Sequence, residues 1–234
     1  MKSILALFSL SIAACGTSSP FEPGAGDNPG TGTGTLSIDG DATAHGRLTN
    51  ALQASDFSTD FSVRVLLNSV PVSTGTVTVT SSRGGVNLTY NLNGGGRWEG
   101  TANGYDEVYQ LDVVSGADKV EGVRVDGPDI HGFTAPLAGA SLDSTVANMV
   151  TWSRIEVADE AKFHADSGDF TIADSGTYTM PAGSLKADKT SARANTLQLT
   201  RMDRITPMGA IGGSQFTVRV ENEIDVVALP CPGC

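Results

Sequence analysis

From Leu36 onward the apolar residues fall on every second position, and turn-forming residues interrupt each run. Phe61, Val63, Val65 and Leu67 share one phase. So do Val77 and Val79, set among Thr76, Thr78 and Thr80. Val86, Leu88, Tyr90 and Leu92 alternate with Asn87, Thr89 and Asn91, and Tyr109, Leu111 and Val113 are followed by Val123 and Val125. A period of two puts alternate side chains on opposite faces of a strand, whereas a helix face needs a period of 3.6. Between the runs stand Arg83-Gly84-Gly85, Asn93-Gly94-Gly95-Gly96, Asn103-Gly104 and Ser115-Gly116-Ala117-Asp118, which are turn sequences. Short alternating strands joined by such turns predict an all-β chain built as antiparallel sandwiches.

Asp126-Gly127-Pro128-Asp129 interrupts this pattern and divides the chain into two units, 35–126 and 127–229, each long enough for a sandwich domain. In the second unit the pattern predicts strands at Met149 to Trp152, Asp169 to Ala173, Thr177 to Met180, Thr196 to Arg201, Gln215 to Val220 and Glu223 to Leu229. Ile155 to Ala165 is the best helix candidate, and Pro181 to Lys186 allows one helical turn. Residues 15–34 are rich in Gly, Pro, Thr and Ser with almost nothing to bury, so they read as a disordered tether. The spacing Gly30-x-Gly32-x-Gly34 is not a nucleotide loop, because no predicted strand leads into it and no helix follows.

Lys2 precedes an apolar stretch from Ile4 to Ala14, which ends in Ile12-Ala13-Ala14-Cys15. Eleven residues are too few to span a bilayer, which takes about 20. The segment has the form of a secretory signal peptide, residues 1–14. The run into Cys15 resembles the lipobox of bacterial lipoproteins. That resemblance implies cleavage before Cys15, a diacylglycerol on its sulfur and an acylated amino terminus. Gly16, standing where an Asp would retain the protein at the inner membrane, implies the outer membrane.

Two further resemblances concern the fold. Val70-Pro71-Val72, Gly75 to Val79 and Gly104-Tyr105 before Tyr109-x-Leu111-x-Val113 resemble small surface sandwiches of the immunoglobulin-like and carboxypeptidase-regulatory-like kinds. Trp152 in a strand and Asp174-Ser175-Gly176-Thr177-Tyr178 resemble an immunoglobulin domain, with Tyr178 as its tyrosine corner, although Met180 stands where the disulfide Cys would be. These imply an immunoglobulin or fibronectin-III-like architecture.

The chain has 26 acidic and 15 basic side chains, and loss of Lys2 on cleavage would leave 14 bases. Such an acidic surface repels phosphate backbones and excludes nucleic acid as a partner. His45, His131 and His164 are isolated and form no metal-ligand spacing. Asp39-Gly40-Asp41 gives two carboxylates on one side of a turn but fails the EF-hand pattern at later positions, and Asp166, Asp169 and Asp174 form a second acidic group around glycines; both read as solvated turn residues, with calcium-binding loops as the alternative. No Gly-x-Ser-x-Gly or Ser-x-x-Lys motif is present. Asn87-Leu88-Thr89 matches a glycosylation acceptor but reads as strand sequence. A sugar-cleaving cleft needs aromatic walls, and the chain has two Trp and four Tyr. Cys231-Pro232-Gly233-Cys234, in the tail 230–234, is similar to a thioredoxin-type dithiol, but no helix follows to activate it. A small-loop disulfide between Cys231 and Cys234 is expected in an exported protein.

The sequence thus predicts a non-catalytic envelope lipoprotein without cofactor or metal. It would be held at the outer membrane by lipid on Cys15 and act structurally or by binding an envelope protein or glycan. The alternatives are an adhesin-like module for carbohydrate or protein, and a hydrolase with an unrecognised site. Burial of Trp98, Tyr105, Tyr109 and Trp152 would favour a structural protein. Their exposure on one face would favour a glycan binder.

Overall fold

The computed structural model describes residues 19–233; the signal segment, Cys15 and Cys234 lie outside the described residues. The chain is all-β. Its strands are β1 (Asn28–Gly32), β2 (Leu36–Gly46), β3 (Phe57–Leu67), β4 (Val70–Pro71), β5 (Thr76–Ser81), β6 (Gly84–Asn87), β7 (Thr89–Asn91), β8 (Arg97–Asn103) and β9 (Val108–Ser115). They continue with β10 (Asp118–Asp126), β11 (Phe133–Ala135), β12 (Ser141–Leu142), β13 (Asn148–Trp152), β14 (Glu160–Ala165), β15 (Gly168–Ile172), β16 (Thr177–Met180), β17 (Arg193–Ile205) and β18 (Gln215–Ala228). One 3-10 turn, Ala54–Asp56, precedes β3.

The strands form one long backing sheet and two smaller covering sheets. The backing sheet runs β15-β14-β17-β18-β2-β3-β8-β7, with β12 beside β18 and β4 beside β3. One cover is β1-β10-β9-β5-β6 and the other is β11-β13-β16. Most neighbours are antiparallel, often joined by tight hairpins such as Ser81↔Gly84 and Ser115↔Asp118. The pair β18–β2 is parallel, from Gln215↔Asp39 to Glu221↔His45. Parallel neighbours need a long crossover, and here that crossover is nearly the whole chain.

β18 explains how one sheet serves two cores. Phe216, Val218, Val220, Asn222, Ile224, Val226 and Ala228 share its inward face, and all are buried. Phe216, Val218 and Val220 pack with Ile38, Phe61, Val63, Leu111 and Val125 in the first core. Ile224, Val226 and Ala228 pack with Val150, Trp152, Phe163, Leu197 and Leu199 in the second. The boundary near 126–132 therefore separates the two covers, but neither the backing sheet nor the first core, which takes Phe216, Val218 and Val220 from beyond it. Asn222 sits where one core ends and the other begins. Its side chain accepts from Ala51 N (2.9 Å) and donates to Ala51 O (2.7 Å) and His131 O (2.7 Å). A buried amide must be hydrogen-bonded or cost several kcal/mol. Asn222 breaks the apolar pattern, so residues 215–220 and 223–229 read as two strands although they form one.

Several other expectations are revised. Part of the tether is a strand: β1 pairs with β10, Asn28 opposite Arg124 and Gly32 opposite Val120. Glycine makes this possible. A Cβ on Gly30 would strike the carbonyl of Glu121, and one on Gly32 would lie 2.6 Å from the Gly209 carbonyl. Low apolar content there reflects close backbone packing, not disorder. Residues before β1 are also held, since Gly26 N donates to Asp126 (2.9 Å) and Arg124 Nε to Gly26 O (3.0 Å). The helix expected at Ile155 to Ala165 is a loop followed by β14, whose Ala161, Phe163 and Ala165 face the core at period two. Pro181 to Lys186 forms turns without a helix. Val86 to Leu92 is divided: β6 belongs to a cover and β7 to the backing sheet, with Leu88 crossing between them. Tyr178 is no tyrosine corner. Its ring packs on Phe163 and Phe170 (centroids 5.2 and 6.0 Å) in mid-strand. Tyr105 makes a long-range bond to the main chain, but forward: its hydroxyl donates to Pro128 O at 2.6 Å.

Candidate functional site

The densest polar cluster lies in the gap between the two covers. The alternation Leu197-x-Leu199-x-Arg201 turns Arg201 inward from β17, and its side chain has no exposed surface. Asp129 reaches it from the segment joining the covers, and Asp174 from the loop before β16. Arg201 Nε donates to Asp174 Oδ2 (3.0 Å), Nη1 to Asp129 O (2.8 Å) and Oδ1 (3.1 Å), and Nη2 to Asp129 Oδ1 (3.1 Å) and Glu156 O (2.5 Å). Asp129 also accepts from Ile155 N and Glu156 N, and Asp174 from Trp152 Nε1 and Ala158 N. Burial alone would disfavour charge on Asp174. The hydrogen bonds from Ala158 N, Arg201 and Trp152, with the attraction of the guanidinium, prevail and hold its carboxyl below the ordinary range. The two carboxylates that the fold brings together are thus separated by a cation and sealed from solvent. Such a group fixes loop positions and offers no proton at a surface.

His131 stands beside this cluster. Burial first, and the Arg201 charge second, push its pKa down to about 3, so the ring is neutral. Its Nε2 lies 3.0 Å from Leu199 O, which places the proton on that nitrogen.

A cleft of about 200 Å³ opens where β6, in a cover, parts from the end of β8, in the backing sheet. Phe61, Val79, Val86 and Tyr109 form its floor, and Arg83 and Asp106 stand at its mouth. The mouth is tied together: Arg83 Nε lies 3.3 Å from Asp106, Ser82 donates to Asp106 (2.9 Å), and the guanidinium donates to Asn103 O and Tyr105 O. A second hollow, about 250 Å³, lies past Arg83 and is lined by Phe21, Tyr105, Glu107 and Ile130 among others. Burial, then the nearby charges of Asp129 and Asp126, raise Glu107 to about 7.

The residues singled out from the sequence are dispersed. Asp41 pairs with Arg219 (2.8 Å), and Arg97 lies 3.3 Å from Asp39 and 3.6 Å from Asp41, so both carboxylates of that turn face guanidinium groups. They lie within β2, not on a turn. His45 pairs with Glu221 (2.8 Å) on the outer face of the backing sheet. His164 pairs with the exposed Asp169 (2.6 Å), while Asp174 is buried at the junction. Among the described residues, no group of three or more His, Cys, Asp or Glu side chains is placed to hold a metal ion. No described helix is long and apolar enough to cross a membrane.

Cys231 is disulfide-bonded, and both other cysteines lie outside the described residues. The tail is better anchored than its position past the last apolar run implied: Cys231 is buried and its N donates to Asp188 O at 2.8 Å. Arg201, Asp129 and Asn222 carry no motif in the sequence. For Arg201 and Asn222 the usable signal was a polar residue in the apolar phase of a strand; Asp129, between β10 and β11, had none. No protein-family model matches the chain, and no curated protein does.

Proposed function

We propose that the protein is a non-catalytic lipoprotein of the bacterial envelope, anchored through Cys15 and serving as a rigid structural or binding body at the outer membrane. One observation carries the choice between this and a glycan receptor. Trp98, Tyr105, Tyr109 and Trp152 are only 2–6% exposed. Their polar tips are engaged inside the protein: Trp98 with Val72 O (2.9 Å), Tyr105 with Pro128 O, Tyr109 with Asp106 N, and Trp152 with Asp174. Buried rings with satisfied tips stabilise a core, whereas sugar recognition needs ring faces turned to solvent. The hydrolase alternative is disfavoured by the burial of Asp129 and Asp174, which share the one guanidinium of Arg201 and line neither of the two hollows described above.

Cys15→Ser tests the anchoring. Wild-type protein should enter the detergent phase of a two-phase separation and the variant should stay in the aqueous phase. Equal partition of the two would refute the lipoprotein reading. Binding of an envelope protein through an open sheet edge, such as β7, β15 or β16, is the form of partner recognition this architecture allows.

A further inference from the structure

We infer that the loops over the gap between the two covering sheets form a second, non-covalent contact with the membrane, so that the anchored body lies on the lipid surface and does not stand off on a tether. This rests on the lipid-anchor reading of Cys15. Ile155 and Val157 are 86% and 66% exposed, and Leu48 and Leu52 are exposed as well. They belong to two loops that meet at one place. Leu52 lies against Gly132, closely enough to strike an added Cβ there. Gly132 in turn exchanges hydrogen bonds with Ser153, two residues before Ile155. Both loops are held in position. Asn50 bonds the N and O of Phe133, and Asp129 accepts from Ile155 N and Glu156 N while bound to Arg201. Exposed aliphatic side chains on loops fixed by buried polar groups are prepared for an apolar partner, because little further ordering is needed on contact.

The path of the chain identifies lipid as that partner. The amino-terminal segment reaches the body beside these loops, where Phe21 and Pro23 line a hollow with Ala54, two residues past Leu52, and Ile130, two residues before Gly132. Ile130 adjoins Asp129, which holds the Ile155 loop. Only five residues lie between Cys15 and Phe21, so the six steps from one to the other reach about 20 Å even when fully extended. Part of the expected flexible spacer is fixed to the body, through β1 paired with β10 and through the Gly26 hydrogen bonds to Asp126 and Arg124. An acylated Cys15 therefore holds the gap loops within reach of the headgroups, where apolar side chains settle about 5–10 Å into the interface. The chain is acidic, so neutral headgroups suit it better than anionic ones.

The test uses the mature protein recovered from membranes of cells expressing the whole chain, on phosphatidylcholine vesicles with and without acyl chains brominated near the headgroup. Ile155→Trp is compared with Leu92→Trp, which is exposed at the far end of β8 from Gly104; wild type, with buried Trp98 and Trp152, gives the background. Co-flotation is measured first. If the protein floats, the inference expects blue-shifted emission from Trp at 155 that brominated lipid quenches, with neither effect at 92. Flotation without quenching at 155 would overturn the inference and leave the anchor intact, and so would equal quenching at both positions. Failure to float would remove the anchor reading and the inference together. Should Ile155→Trp not fold, Leu48→Trp replaces it, with the same outcomes.

Discussion

Arg201→Met removes a cation that binds two buried carboxylates. The methionine fills much of the volume but returns none of the donors, so Asp129 and Asp174 keep charges that Arg201 no longer balances. Breaking a buried ion pair from one side costs about 3–5 kcal/mol. The loss should fall near the lower end, about 3 kcal/mol, because each carboxylate retains two other donors: Ile155 N and Glu156 N for Asp129, Trp152 Nε1 and Ala158 N for Asp174. In a chain of this size that lowers the melting temperature by roughly 6–12 °C. The pH dependence identifies the cause. In the wild type the Asp174 carboxyl is held below its ordinary pKa, so its contribution is present above the unfolded value and lost only in strong acid. Without Arg201 the carboxyl pKa values rise, and the variant should gain stability relative to wild type as pH falls from about 8 to 5. Adding Asp129→Asn and Asp174→Asn should recover part of the loss at pH 8. Urea denaturation across this range compares the wild type with both variants. A loss below about 1 kcal/mol, independent of pH, would refute the idea that this cluster holds the junction.

The fragment 35–126 should not fold cooperatively, since it lacks Phe216, Val218 and Val220, each worth about 1.5–3 kcal/mol when buried; a sharp urea transition in the isolated fragment would contradict the shared sheet. His131, lowered to about 3, contributes stability that is complete above about 6.5 and falls by about 1.4 kcal/mol per pH unit below it; His131→Gln should flatten that acid limb. Glu107, raised to about 7, acts oppositely, with stability declining as pH rises from about 4.5 to 7. It is only partly buried, so the effect is smaller than the shift implies, and Glu107→Gln should remove the decline. Cys231→Ser with Cys234→Ser should cost at most about 1–2 kcal/mol, and thiol counting on unreduced protein should find both Cys blocked.

The strands were legible wherever one face is buried and the other wet. Phe61 to Leu67, Tyr109 to Val113 and Met149 to Trp152 announce themselves because alternate side chains meet different surroundings. The polar junction was hidden by the same logic. Arg201 and Asn222 occupy inward positions and read as breaks, because local pattern cannot reveal a partner that lies 72 residues away, as Asp129 does from Arg201. β1 was hidden because its strand character comes from backbone approach at Gly30 and Gly32, which leaves no apolar trace. The parallel β18–β2 pair joins segments near opposite ends of the chain, which no window of sequence reports.

The central claim is the anchored state, and the intact mass of the mature protein recovered from membranes tests it most directly. The account predicts that residues 1–14 are gone and that the new first residue, Cys15, carries diacylglycerol and an amide-linked acyl chain, seen as a family of masses spaced by methylene units. A single mass matching an unmodified Cys15, or a chain that still begins at Met1, would contradict it.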